Sequence, residues 1–333
     1  MYIQDSIKTR ELTAAELSIY KFIKSQKRDY QNDDISETRT QKILSYIQQL
    51  NKLLELPLIK QRTTEWYEAR KTRLTASDLD EAIKPSNDRL AMKKAGILED
   101  TTNYNTLPPL KWGTMFEAMA IRSYSQERDD ITVHEFGLIK HPLLENFGAS
   151  PDGINDLGIM IEIKCPYSRT IVDNSIPNKY YKQIQGQLAV CELEECDYVE
   201  CDFQTYEDIP QYIQDNKDST TRHGVIAEYK NRQTDEYEYI YSDNYLTASA
   251  ASENINNKIM AYTNNDLLFL KVTPWKLRNI NVQRISFDKE LWENTVPKIT
   301  EFWNKVVEYK KSTPDVVKNC TKTRKYTFIA DDD

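Results

Sequence analysis

The tightest constraint on the fold is a nine-residue run, Gly158-Ile159-Met160-Ile161-Glu162-Ile163-Lys164-Cys165-Pro166, mostly apolar but carrying a glutamate and a lysine two positions apart. A short apolar run bounded by turn residues reads as a buried strand. Alternate side chains of a strand share a face, so Glu162 and Lys164 project together. Ionised groups in such a strand are costly unless they pair or bind a metal. Asn155-Asp156-Leu157-Gly158 supplies the turn into the run. Upstream, Ser150-Pro151-Asp152-Gly153 places a further carboxylate on a turn, and Gly153 is predicted to let the chain bend sharply beneath Asp152. The unit reads as strand, turn, short strand, turn, strand.

Two carboxylates and a lysine converging at a strand end are the residue types that metal-dependent phosphodiester hydrolysis requires. The carboxylates hold Mg²⁺, the metal activates water and neutralises developing charge, and the lysine positions the water. The spacing has the form of the PD-(D/E)xK nuclease motif. The pattern alone is weak, because Pro-Asp-Gly turns and exposed Glu-x-Lys pairs are common. The apolar strand around this pair is what sets it apart.

At 333 residues with 39% hydrophobic and 11% aromatic content, the chain can bury a substantial core. No apolar run approaches the ~18 residues of a membrane span, and the sequence reads as having no signal peptide and no membrane partner. The odd set Cys165, Cys191, Cys196, Cys201 and Cys320 points to reduced, intracellular thiols. A net charge of −8 argues against a simple DNA-coating protein. A nuclease needs a basic groove only where the strand lies, and Arg62, Arg70, Lys71 and Arg73 form the local basic patch.

The predicted fold class is α/β (α+β): a restriction-endonuclease-like core with a central mixed sheet flanked by helices, plus an N-terminal helical extension. Residues 1–56 read as that extension. Thr13-Ala14-Ala15-Glu16 has capping-box spacing, and a second helix over Ser36–Leu54 carries Ile43, Ile47, Leu50 and Leu54 at helical spacing. Residues 57–312 read as the catalytic domain, with a β-rich insertion at about 204–283, and 313–333 as a tail. Expected elements are a helix within 107–128, strands near 131–139, 147–150 and 159–165, a helix over 177–192 and a strand over 197–203. Further strands are expected at 224–229, 236–241, 267–272 and 281–287, with a final helix over 288–311.

Four more groups line up with the motif: Glu117 in Trp112-Gly113-Thr114-Met115-Phe116-Glu117, Gln183 in Tyr180-Tyr181-Lys182-Gln183-Ile184-Gln185-Gly186-Gln187, and Arg70 and Ser77 upstream. The order Arg, Ser, Glu, Asp, Glu-x-Lys, Gln resembles the lambda exonuclease/YqaJ family of viral recombination nucleases. The likeness covers roughly 64–203, from Glu65-Trp66 through Thr75-Ala76-Ser77 to Lys164-Cys165-Pro166, with a weaker echo in the 292–309 helix. It implies an Mg²⁺-dependent exonuclease, with Mn²⁺ as a substitute, that digests duplex DNA with a free end from the 5′ side. The 3′ single-stranded tails would serve a single-strand annealing protein in recombination, replication or repair, in a host cytoplasm or nucleus if the bearer is viral.

The likeness also implies roles. Asp152, Glu162 and the Ile163 carbonyl would ligate the metal, with Glu117 reaching it directly or through water. Lys164 would orient the attacking water, and Gln183 would position water or phosphate. Ser77, read as a helix N-cap, would hold a 5′-phosphate with Arg70. Arg73 and Tyr180 would contact DNA.

Each residue also has a plain structural reading: Glu117 as a surface helix residue, Arg70 as a partner of Glu65 or Glu68, Gln183, Gln185 and Gln187 as a polar face. The family's ring-shaped trimers are implied as well. The N-terminal helices and the 204–283 region exceed a minimal exonuclease and leave that homo-oligomer open.

Two other enzymatic readings are weaker. Cys191, Cys196 and Cys201 lack a C-x₂-C pair, so no iron–sulfur cluster is expected and they read as small buried residues. His134, His141 and His223 show no zinc-ligand spacing. A structure- or sequence-specific endonuclease on the same core, or a non-catalytic DNA-binding protein, stand as alternatives.

Overall fold

The computed structural model describes residues 37–98, 107–128, 130–262 and 264–311. The Thr13–Glu16 capping box, Cys320 and the 313–333 tail lie outside them. Helix α1 is described over Glu37–Leu54, within the expected Ser36–Leu54 helix. It buries Ile43, Ile47, Leu50 and Leu53, whereas Leu54, expected on that face, is 45% exposed.

The next elements are α2 (Thr64–Lys71), β1 (Leu74–Thr75), a 3₁₀ turn (Ala76–Asp78), α3 (Leu79–Ala82), α4 (Asp88–Ala95) and α5 (Pro108–Gln126). Strands β2 (Val133–His134), β3 (Ile139–Lys140), β4 (Phe147–Ala149), β5 (Gly153–Asn155) and β6 (Met160–Lys164) follow, then α6 (Asn178–Cys191) and β7 (Glu195–Thr205). The chain continues through α7 (Ile209–Asp215), β8 (His223–Asn231), β9 (Tyr237–Tyr241), α8 (Ala248–Ala261) and β10 (Leu267–Ser286) to α9 (Lys289–Lys311).

A seven-stranded mixed sheet, ordered β2-β5-β6-β7-β10-β8-β9, forms the centre, with a small β1-β4-β3 sheet beside it. The β6–β7 pair is parallel and the other pairs of the large sheet are antiparallel. The parallel pair needs a crossover, which α6 provides. Alternation along β6 splits its side chains between two layers. Met160 joins the core under α6 and α9, while Ile161 and Ile163 join the core under α1 and α5. The α/β class with a helix-flanked mixed sheet is therefore the observed one.

Two expectations change. The strands expected at 267–272 and 281–287 are one strand, β10, running without a break through Pro274. Its first half pairs with β8 and its second with β7, with register shifts at Phe269/Lys271 and Leu277/Asn279. The 204–283 region thus extends the same sheet by β8 and β9, while α7, α8 and β8 enclose a small core of their own around Tyr212, Ala227 and Ile255. The strand expected over 131–139 reduces to two residue pairs, β2 and the start of β3.

Candidate active site

Strand β6 presents Glu162 and Lys164 on the α6 side, as the two-residue period requires. Glu162 is 1% exposed. Lys164 Nζ lies 3.0 Å from Glu162 Oε1. Gln183 Nε2 donates to Oε1 and Gln187 Nε2 to Oε2, each at 2.6 Å. These two glutamines are four residues apart on α6 and so face the same way. Gln185 points elsewhere, donating to the Ser286 carbonyl and accepting from the Asp288 N–H. The buried carboxylate is thus fixed in orientation from both oxygens. Gln187 belongs to the site as much as Gln183 does, and the i, i+4 spacing was the signal for it.

Asp152 lies between β4 and β5. Its Oδ2 accepts the Ile163 N–H at 2.7 Å, which ties the turn to β6 at the residue after Glu162. Burial pushes the Asp152 carboxyl well above the usual range, the Glu162 and Glu117 charges push the same way, and Lys164 offsets part of this. Gly153 acts through space rather than through a bend. It has no positive φ, it opens β5, and a β-carbon there would lie 2.4 Å from Val133 Cγ1.

Glu117 on α5 pairs with the Arg62 guanidinium. Arg62 has a left-handed backbone, φ 65°; the sequence marks it only as part of the basic patch, not as a partner of Glu117. Tyr180, expected to contact DNA, is 3% exposed and closed off from it. Its ring lies under Lys164, with Nζ 4.5 Å from the centroid. It acts as a floor for that ammonium, because the flat apolar ring fills space beneath α6.

Arg70 and Ser77 do meet, with Arg70 Nη2 donating to Ser77 Oγ at 3.1 Å. The guanidinium is stacked over Trp66 at 4.2 Å, and Trp66 Nε1 donates to Ser150 Oγ at 3.0 Å, two residues before Asp152. Arg70 pairs with neither Glu65 nor Glu68; Glu68 takes Lys71 instead. Ser77 is not a helix N-cap. It is the middle residue of the 3₁₀ turn, whose cap position is Thr75, so any anion affinity here comes from Arg70 and the hydroxyl rather than from a helix dipole.

Arg73 turns back to the Ala69 carbonyl at 3.1 Å and is half-buried. The expected basic patch of Arg62, Arg70, Lys71 and Arg73 is thereby dispersed over four separate partners. The described cysteines, Cys165, Cys191, Cys196 and Cys201, are buried free thiols, and burial pushes Cys191 up to about 12.

Among the described residues, no three His, Cys, Asp or Glu side chains are arranged to hold a metal ion on their own. Asp152 and Glu162 do form an all-oxygen pair with excess negative charge, the donor chemistry that Mg²⁺ and Mn²⁺ prefer. Main-chain oxygen, with Glu117 once released from Arg62, would complete it.

Residues 65–194 match the model of the YqaJ-like viral recombinase domain. Uncharacterized protein R354 of Acanthamoeba polyphaga mimivirus is 26% identical over 344 aligned positions, covering 89% of this chain. The chain spans 61% of the length of that curated relative. Among solved structures, the alkaline exonuclease LHK-Exo of Laribacter hongkongensis is 20% identical with a TM-score of 0.46, covering 78% of this chain and 98% of its own. A phage-related exonuclease of Haemophilus somnus 129PT is 12% identical with a TM-score of 0.36, covering 74% and 96%. The YqaJ-like viral recombinase match is confined to residues 65–194, a span holding every site residue described above except Arg62.

Proposed function

We propose that this chain is a divalent-metal-dependent DNA exonuclease that degrades linear duplex DNA from its 5′ ends and leaves 3′ single-stranded tails for recombination. The observation that carries the reading is the buried Glu162 carboxylate, clamped by Gln183 and Gln187, with Lys164 on the same strand face and Asp152 tied to the neighbouring Ile163 N–H. The family match over 65–194 supports the recombination role.

Asp152, Glu162 and the Ile163 carbonyl would hold Mg²⁺ or Mn²⁺, with Glu117 as a further ligand. Such an ion supplies an activated water and neutralises charge building on the phosphate. Gln183 and Gln187 keep Glu162 in one rotamer, so the site needs little reorganisation. Lys164, seated on Tyr180, offers N–H donors to the attacking water or a phosphate oxygen. Arg70 and Ser77 form a donor pair suited to a terminal 5′-phosphate, and the Trp66–Ser150 bond sets their distance from Asp152. A single-strand annealing protein is the partner that such tails would serve.

The test is digestion of linear duplex DNA labelled separately at the 5′ and 3′ ends, with covalently closed circles alongside, by wild type and Lys164→Ala, in Mg²⁺ and in EDTA. Mg²⁺-dependent release of 5′ label, intact circles and an inactive variant are expected. Cleavage of closed circles would replace this reading with an endonuclease, and no cleavage of any substrate would reject it.

A further inference from the structure

The segment before α2 is pinned beside the Asp152 turn. Gln61 Nε2 donates to the Phe136 carbonyl at 2.9 Å and to the Pro151 carbonyl at 3.1 Å. The Ile59 carbonyl fills the space where a β-carbon at Gly137 would sit, 1.8 Å away. Held in this way, Arg62 adopts φ 65°, a conformation costly for a residue with a β-carbon. Its guanidinium is aimed at Glu117, and its charge also acts on Asp152, Tyr239 and Tyr241. The side chain is 45% exposed and Glu117 26%, so the pair stands at the open mouth of the site.

We infer that Arg62 is a built-in competitor for the metal: its guanidinium occupies Glu117, so that Glu117 becomes a metal ligand only when Arg62 is displaced. This rests on the metal-site reading above. The lone pairs that a divalent ion needs on Glu117 are those the guanidinium uses. When binding competence is only partly populated, apparent affinity falls by that fraction. An exposed pair of this kind is modest in strength, so displacement is within reach of a divalent ion.

The experiment is Mn²⁺ titration of the full chain without DNA, with free Mn²⁺ read by electron paramagnetic resonance. Arg62→Gln and Arg62→Gly are expected to bind Mn²⁺ about three- to fivefold more tightly than wild type, and Arg62→Lys to stay near wild type. Glycine suits the positive φ, so the thermal midpoint of Arg62→Gly should not fall. In a Glu117→Gln background the gain from Arg62→Gln should vanish. Unchanged or weaker binding by Arg62→Gln would overturn the inference, as would a gain that persists in Glu117→Gln, which would mark a general charge effect. Asp152→Asn separates the two readings. If it binds Mn²⁺ like wild type, the metal site itself fails and the Arg62 inference with it. If it abolishes binding while Arg62→Gln changes nothing, only the inference falls.

Discussion

Two acidic clusters are built around buried carboxylates on adjacent strands, and they differ in how their charge is answered. On β7, Asp197 and Glu195 are met by Arg284 from β10, with Nε and Nη2 at 2.6 and 3.2 Å from Asp197 and Nη1 at 2.7 Å from Glu195. Arg128 approaches Asp197 at 3.6 Å, and Tyr124 donates to it at 2.7 Å. Two carboxylates face two guanidinium groups. On β6 and its flanks, the cations that Asp152, Glu162 and Glu117 face among the described residues are Lys164 and Arg62. The first cluster is complete and ties β7, β10 and α5 together. The second carries a surplus negative charge, which leaves it suited to a cation from solution. Burial of acids is common to both, so the balance of charge, and not burial, distinguishes structure from site.

The sharpest way to break this comparison is to neutralise one acid in each. Glu162→Gln is expected to cost about a hundredfold or more in DNA hydrolysis while leaving denaturant stability unchanged or raised. Asp197→Asn should lower stability by roughly 2–4 kcal/mol, since it strands the Arg284 and Arg128 charges, yet leave Mn²⁺ affinity intact. Equal effects of both changes on either readout would erase the distinction.

A smaller effect lies in pH. Asp152 has a raised folded pKa, so its ionised form costs the metal-free fold. This destabilisation is absent below the unfolded value near ~4 and grows as pH rises through the folded one. Asp80 behaves oppositely. Burial pushes it up, but Lys182 and Lys84 bring it below its ordinary value, so its contribution is present above the unfolded value and lost as pH falls through the folded one. Denaturant unfolding of the metal-free chain across pH should show both slopes. Asp152→Asn should remove the loss at higher pH, and Asp80→Asn the loss in acid.

The smallest change concerns the DNA end. Ser77→Ala is expected to reduce the preference for 5′-phosphorylated over 5′-hydroxyl ends about threefold to tenfold, and Arg70→Gln to reduce it further. Equal preference in wild type and both variants would remove this pair from the site.

Legibility followed the range of the interaction that sets each residue. Glu162 and Lys164 were readable because strand period alone puts them on one face, and Gln187 was within reach because helix period does the same. The pairing of Arg62 with Glu117 was not, since it depends on a left-handed backbone and on bonds from Gln61 to residues 75 and 90 positions away. Tyr180 looked like a surface tyrosine until the packing of α6 on the sheet placed it under Lys164. Pro274 and polar residues made β10 look like two strands, whereas pairing on both sides carries it through.

By itself, then, the sequence determined the α/β class, most of the elements from β4 to β7, and the pairing of Asp152 with Glu162-x-Lys164, because these follow from local periodicity and spacing. Only the tertiary structure decided which acids are balanced. Arg284 reaches Asp197 across 87 residues, Arg62 reaches Glu117 across 55, and Gln183 reaches Glu162 across 21. Charge balance in a core depends on which distant side chains the fold brings within a few ångströms, and no local pattern encodes that.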